Sequence, residues 1–128
     1  MKTAPLFTAG ALGKLALKNR LVVAPLTRVT ASEDGIASQK MKLYYEDFAR
    51  GGFALVISEG NYIDKAWSQT YVNQSGLTDS VQADAWRTVT GAVHQQGGRL
   101  FAQIQHAGAL SQGNHYLAGT VAPSAVRP

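Results

Sequence analysis

Three apolar runs, each turning polar at its C-terminal end, alternate with two stretches of helical spacing. That alternation restricts the chain to an α/β arrangement with parallel strands and crossover helices. The first run, residues 21–26, is valine-rich and closes on Pro25-Leu26, with Thr27 following. The second, residues 53–60, ends Ser58-Glu59-Gly60, and the third, residues 99–105, leads into His106-Ala107-Gly108. Continuous apolar runs of this length are the pattern of strands buried on both faces.

Between the first two runs, Ser38 stands where a helix N-cap belongs, and Met41, Tyr44, Tyr45, Phe48 and Ala49 follow at spacings of three and four. Gly51-Gly52 closes that helix. Between the second and third runs lies a loop over residues 61–78, then Asp79 as N-cap with Gln82 three positions on. The helix that follows carries Ala85, Trp86, Val89, Ala92 and Val93 on one face and closes at Gly97-Gly98. The predicted order is βαβαβ. Three parallel strands cannot close a barrel and leave two sheet edges bare, so the pattern describes an incomplete fold.

Composition narrows the function classes. At 128 residues the chain holds one domain at most. The absence of cysteine removes disulfides, thiolate metal sites and cysteine nucleophiles, and no metal site is expected. The formal net charge is +4, but the lysines and arginines are scattered rather than gathered into a stripe, which argues against nucleic-acid binding. The N-terminal residues Met1-Lys2-Thr3-Ala4-Pro5-Leu6-Phe7 lack a signal-peptide core, and no segment is long and apolar enough to span a bilayer. A cytoplasmic location is the expectation.

In parallel α/β folds the chemistry gathers at the carboxyl ends of the strands. Those ends supply Pro25, Leu26 and Thr27, then Glu59 and Gly60, then Gln103 and His106. The set offers hydrogen-bonding groups, a missing side chain and apolar surface without a strong nucleophile. Such a basin suits a flat heteroaromatic ring: an amide pairs with an amide-like ring edge and glycine permits close approach. Gln103 stands out because a carboxamide within an apolar strand needs a partner when buried.

Residues 17–28, Leu-Lys-Asn-Arg-Leu-Val-Val-Ala-Pro-Leu-Thr-Arg, resemble the first-strand signature of the Old Yellow Enzyme family. Ser58-Glu59-Gly60 resembles its second-strand end. Residues 86–99 followed by Gln103-Ile104-Gln105-His106-Ala107-Gly108 resemble its second helix and third strand. The resemblance is collinear from about Leu6 onward. It implies the N-terminal third, strands one to three and the first two helices over residues 1–128, of an FMN-binding (β/α)8 TIM barrel. It further implies an ene-reductase passing hydride from NADH or NADPH through FMN to an activated alkene such as an enone or nitroalkene.

By the same resemblance, Pro25 and Leu26 line the isoalloxazine, Thr27 bonds near its C4 carbonyl, Gly60 leaves room at that edge, and Gln103 binds the pyrimidine edge. His106 is a further pocket candidate, and no catalytic residue is assigned within the chain. Two departures stand out. Ala109 occupies the position after His-x-Gly where family members often carry arginine, and the cysteine of one subfamily is absent. The stretch at residues 121–128 resembles the interior of a family loop. The alternative is a non-catalytic fragment acting only by association, with itself or with a complementary C-terminal barrel piece. A flavin barrel of the dihydroorotate-dehydrogenase type ranks third.

Overall fold

The computed structural model describes residues 4–125. Met1–Thr3 and Val126–Pro128, which carry the start of the N-terminal reading and the end of the last loop resemblance, lie outside the described residues. A turn of 3-10 helix at Pro5–Phe7 leads into two strands, β1 (Gly10–Leu12) and β2 (Leu15–Leu17), paired antiparallel. The principal sheet has the order β3 (Val22–Val23), β4 (Leu55–Tyr62), β5 (Arg99–Gln105), parallel throughout. Helix α1 (Gln39–Arg50) connects β3 to β4, and α2 (Ser80–Gln95) connects β4 to β5. The architecture is mixed α/β, and no barrel closes among the described residues.

Both helices begin as their caps dictate. The Ser38 hydroxyl accepts the Met41 N–H at 3.3 Å, and the Asp79 carboxylate accepts the Gln82 N–H at 2.9 Å. The Gln82 side chain does not return to Asp79. It turns to Thr78, whose N–H and hydroxyl both reach Gln82 Oε1. Met41, Tyr45 and Ala49 of α1 pack with Trp86, Val89 and Val93 of α2 over Val23 and Val56 of the sheet. Tyr44, Phe48 and Leu100 lie against the same cluster, partly buried. A second, smaller cluster lies at the foot of the sheet, where Leu17 of β2 meets Ala54 and Leu55, with Ile57 against them.

Two strand expectations need correction, and one pair of strands is new. The run at 21–26 is a strand only over two residues, Val22 and Val23, where the chain pairs with Leu55 and Val56 at the start of β4. The second strand starts and ends two residues later than its apolar run, taking in Asn61 and Tyr62 while leaving out Phe53 and Ala54. The β1–β2 hairpin is additional to the expected elements. Its two-residue turn places Gly13 at φ 56°, in the left-handed region that glycine favours.

Candidate functional site

The carboxyl ends of the three parallel strands lie at the same end of the sheet, and β4, the central strand, organises them. Its ladder to β5 pairs Ile57 with Phe101 and then Gly60 with Gln103, so Ser58 and Glu59 together oppose Ala102 alone. This is a β-bulge, the device by which a strand re-aims its side chains beside a site. Ser58, Glu59, Gly60, Asn61 and Tyr62 are all buried, so four consecutive side chains around one glycine must satisfy themselves internally.

Glu59 does not face the basin with its neighbours. Its carboxyl turns toward α1, where Oε2 accepts the Tyr45 hydroxyl at 3.0 Å, and the Tyr45 oxygen accepts the Glu59 N–H at 2.9 Å. Burial, and then the Glu59 carboxyl beside it, push the Tyr45 phenol above the ordinary tyrosine range, which keeps it a hydrogen donor. Glu59 Oε1 accepts the Arg28 N–H at 3.2 Å and so anchors the turn that follows β3. That turn carries Val29 at φ 47°, a conformation unfavourable for a β-branched residue. It is held between the Arg28 bond and the Ala31 N–H to Asn73 carbonyl bond of 3.1 Å.

Of the sequence-predicted residues, Pro25 is half-buried and Leu26 and Thr27 are exposed beyond the end of β3. Gly60 is buried in β4, and its carbonyl accepts Gln74 Nε2 at 2.7 Å. The space a side chain would need at Gly60 is occupied by the Gln105 carboxamide, which in turn donates to Thr70 Oγ1 at 2.8 Å. The room expected at Gly60 is therefore already filled from within the chain. Gln103 is exposed rather than buried, a second correction: among the described residues no element packs over its face of β5 at that level. Strand alternation puts Gln103 with Arg99, Phe101 and Gln105 on the face opposite to Leu100 and the helices.

His106 lies just past β5. Its Nδ1 accepts the Gly108 N–H at 2.9 Å, and its Nε2 stands 3.8 Å from Asp64 Oδ2. Desolvation opposes ionisation of Asp64, but the Trp67 N–H, the Ser68 hydroxyl and nearby His106 outweigh it and hold Asp64 below the usual carboxylate range. Tyr62, at the end of β4, is fully buried and shares a 2.8 Å hydrogen bond with the Tyr116 hydroxyl, tying the loop after β5 to the strand end. Among the described residues no group of three or more metal-ligating side chains gathers, and no helix is long and apolar enough to cross a membrane.

Comparison with known proteins decides the family. Residues 5–127 match the NADH:flavin oxidoreductase / NADH oxidase family. This chain is a member of that family. A curated relative from Leishmania infantum, described as a probable flavin mononucleotide-dependent alkene reductase, is 38% identical over 116 residues, covering 89% of this chain and 31% of the relative. The Old Yellow Enzyme homologue from Zymomonas mobilis superposes with a TM-score of 0.86 at 35% identity, over 96% of this chain and 34% of that one. Morphinone reductase, solved with tetrahydroNAD, gives a TM-score of 0.76 at 36% identity, over 85% of this chain and 29% of that one. The chain thus spans about a third of the length of the relatives it matches.

The residues missed at the sequence level are Tyr45, Ser58 and Asn61. Their signal was present: a polar run inside a strand buried on both faces requires bonding partners on its neighbours.

Proposed function

We propose that this chain forms the first part, strands one to three and two helices, of an FMN-binding (β/α)8 barrel in an NADH- or NADPH-dependent oxidoreductase acting on activated alkenes. One observation carries the reading. On the open face of the parallel sheet, Gln103 presents an exposed carboxamide with no protein hydrogen bond among the described residues, in register with Gly60 of β4. A carboxamide offers two donors and an acceptor, the complement of the pyrimidine edge of a flavin, so the donor set fits the group.

In this reading Gln103 binds the pyrimidine edge and Thr27 supplies a hydroxyl near the C4 carbonyl. Pro25 and Leu26 line the ring, and Gly60 contributes backbone only, since Gln105 holds its side-chain space. His106 follows β5, its ring oriented by the Gly108 N–H, with Asp64 nearby. FMN, when bound, supplies the hydride chemistry, and the protein's part is to bind, orient and tune it. Enones and nitroalkenes are the substrate class, in keeping with the relative described as an alkene reductase.

Titration of the full chain with FMN, followed by quenching of flavin fluorescence, tests this. Gln103→Ala raises Kd by about tenfold, the worth of a lost buried hydrogen-bond pair. Thr27→Ala leaves the fold intact and changes the rate at which NADPH reduces the bound flavin. An unchanged Kd in the first variant contradicts the assignment of Gln103, and unchanged reduction kinetics in the second contradict that of Thr27.

A second reading, association with a complementary barrel piece or with itself, is favoured by the open flank of β5. Ile104 is 66% exposed and Phe101 42%, values unusual for the interior of a parallel strand. Phe101 shares its face of β5 with Gln103, so the two readings concern one surface.

A further inference from the structure

The polar run in β4 does work that the flavin reading does not use. Ser58 and Asn61 are fully buried, so neither is available to touch a ring lying on the open face. Their bonds run instead to the neighbouring strand. Ser58 Oγ accepts the Gln103 N–H at 3.1 Å, and Asn61 Nδ2 donates to the Gln103 carbonyl at 3.0 Å. Both backbone polar groups of one residue are thus held by side chains. The bulge explains why: with Ser58 and Glu59 set against Ala102 alone, the ladder is interrupted beside Gln103, and side-chain groups take over its bonds.

Asn61 is itself immobilised. Its Nδ2 also meets Ser58 Oγ at 3.0 Å and the Glu59 carbonyl at 2.9 Å, and its Oδ1 accepts the Ser75 hydroxyl at 2.7 Å. Fixing N–H and C=O of Gln103 fixes its Cα–Cβ direction, so only side-chain torsions remain to be ordered when a ligand is met. Locking the backbone of a binding residue lowers the ordering cost of binding.

We propose that Ser58 and Asn61 are positioning residues that pre-orient Gln103 toward the pyrimidine edge of a flavin. The inference rests on the flavin reading of Gln103. Hydrogen exchange by NMR on the full chain tests the positioning, and FMN titration tests its consequence. In Ser58→Ala, which removes the acceptor of the Gln103 N–H, that amide exchanges about tenfold faster while that of Leu100, below the bulge in the same strand, changes by less than about twofold; Asn61→Ala, which removes the donor to the Gln103 carbonyl, is read by FMN titration. The FMN Kd rises about tenfold in these variants, yet by less than about twofold when the same substitutions are made in a Gln103→Ala background. Ser58→Thr, which keeps the hydroxyl, restores native exchange and Kd.

Equal weakening of FMN binding in both backgrounds overturns the positioning role and leaves Gln103 as a ligand. An FMN Kd unaffected by Gln103→Ala alone overturns the flavin reading of Gln103 and the positioning with it. Should Asn61→Ala fail to fold, the Ser58→Ala and Ser58→Thr pair decides the matter.

Discussion

Tyr45 and Glu59 bond to each other twice, through hydroxyl to carboxyl and through backbone N–H to phenol oxygen, and a third bond runs from Arg28 to the same carboxyl. Three segments, α1, β4 and the turn after β3, therefore meet on one buried acidic side chain. Tyr45→Phe keeps the ring packing against Tyr44 and Trp86, at centroid distances of 5.1 and 5.8 Å, and removes only the donor. It costs about 2 kcal/mol in denaturant unfolding, the value of a hydrogen bond to a carboxyl group left buried without it; a loss below about 0.5 kcal/mol contradicts the role. The raised phenol pKa adds a sign. A group whose folded pKa lies above its unfolded value stabilises fully below the unfolded value, about 10 for tyrosine, and loses that contribution as pH rises toward the folded one. Native chain thus weakens above about pH 10, and Tyr45→Phe removes part of that slope.

At the level of elements, α2 depends on its first turn. The Asp79 carboxyl accepts the Gln82 N–H and pairs with Lys65 Nζ at 2.7 Å, and these two contacts, in that order, hold it below the usual carboxylate range. Its contribution is present above the unfolded value, about 3.9, and is lost as pH falls through the lower folded value. Asp79→Ala lowers the thermal midpoint by a few degrees at pH 7, and the difference from native chain shrinks on acidification below about pH 4. A difference that stays constant with pH contradicts the electrostatic share.

The helices were readable because cap, apolar stripe and closing glycine agree locally: Ser38 and Asp79 start α1 and α2 as their positions imply. The extent of β4 was not readable, because Asn61 and Tyr62 look like loop residues until Ser75, Gln103 and Gln82 are placed around them. The same holds for the site. Gly60 and Gln103 pair across the β4–β5 ladder and Thr27 follows β3 at the same end of the sheet, but the exposure of Gln103 and the filling of Gly60 by Gln105 depend on contacts between strands. The β1–β2 hairpin carried a signal, a Gly-Lys pair between apolar triplets, too short to stand out beside the longer runs.

For the molecule as a whole, the helices cover one face of β3, β4 and the start of β5, while β2 covers only the foot of the other face through Leu17. The remainder of that second face holds Gln103 and is open, and β3 and β5 each have one free edge among the described residues. In a family whose matched relatives are about three times as long, the surface that is open here is the surface on which the cofactor reading depends. Native mass spectrometry of purified material under conditions that retain FMN measures this directly. The account predicts one FMN per assembly, carried either by this chain with a complementary polypeptide or by a self-associated form, and a lower FMN occupancy in Gln103→Ala. A chain that remains free of FMN when the nucleotide is supplied in excess contradicts the claim that this sheet edge is a flavin site.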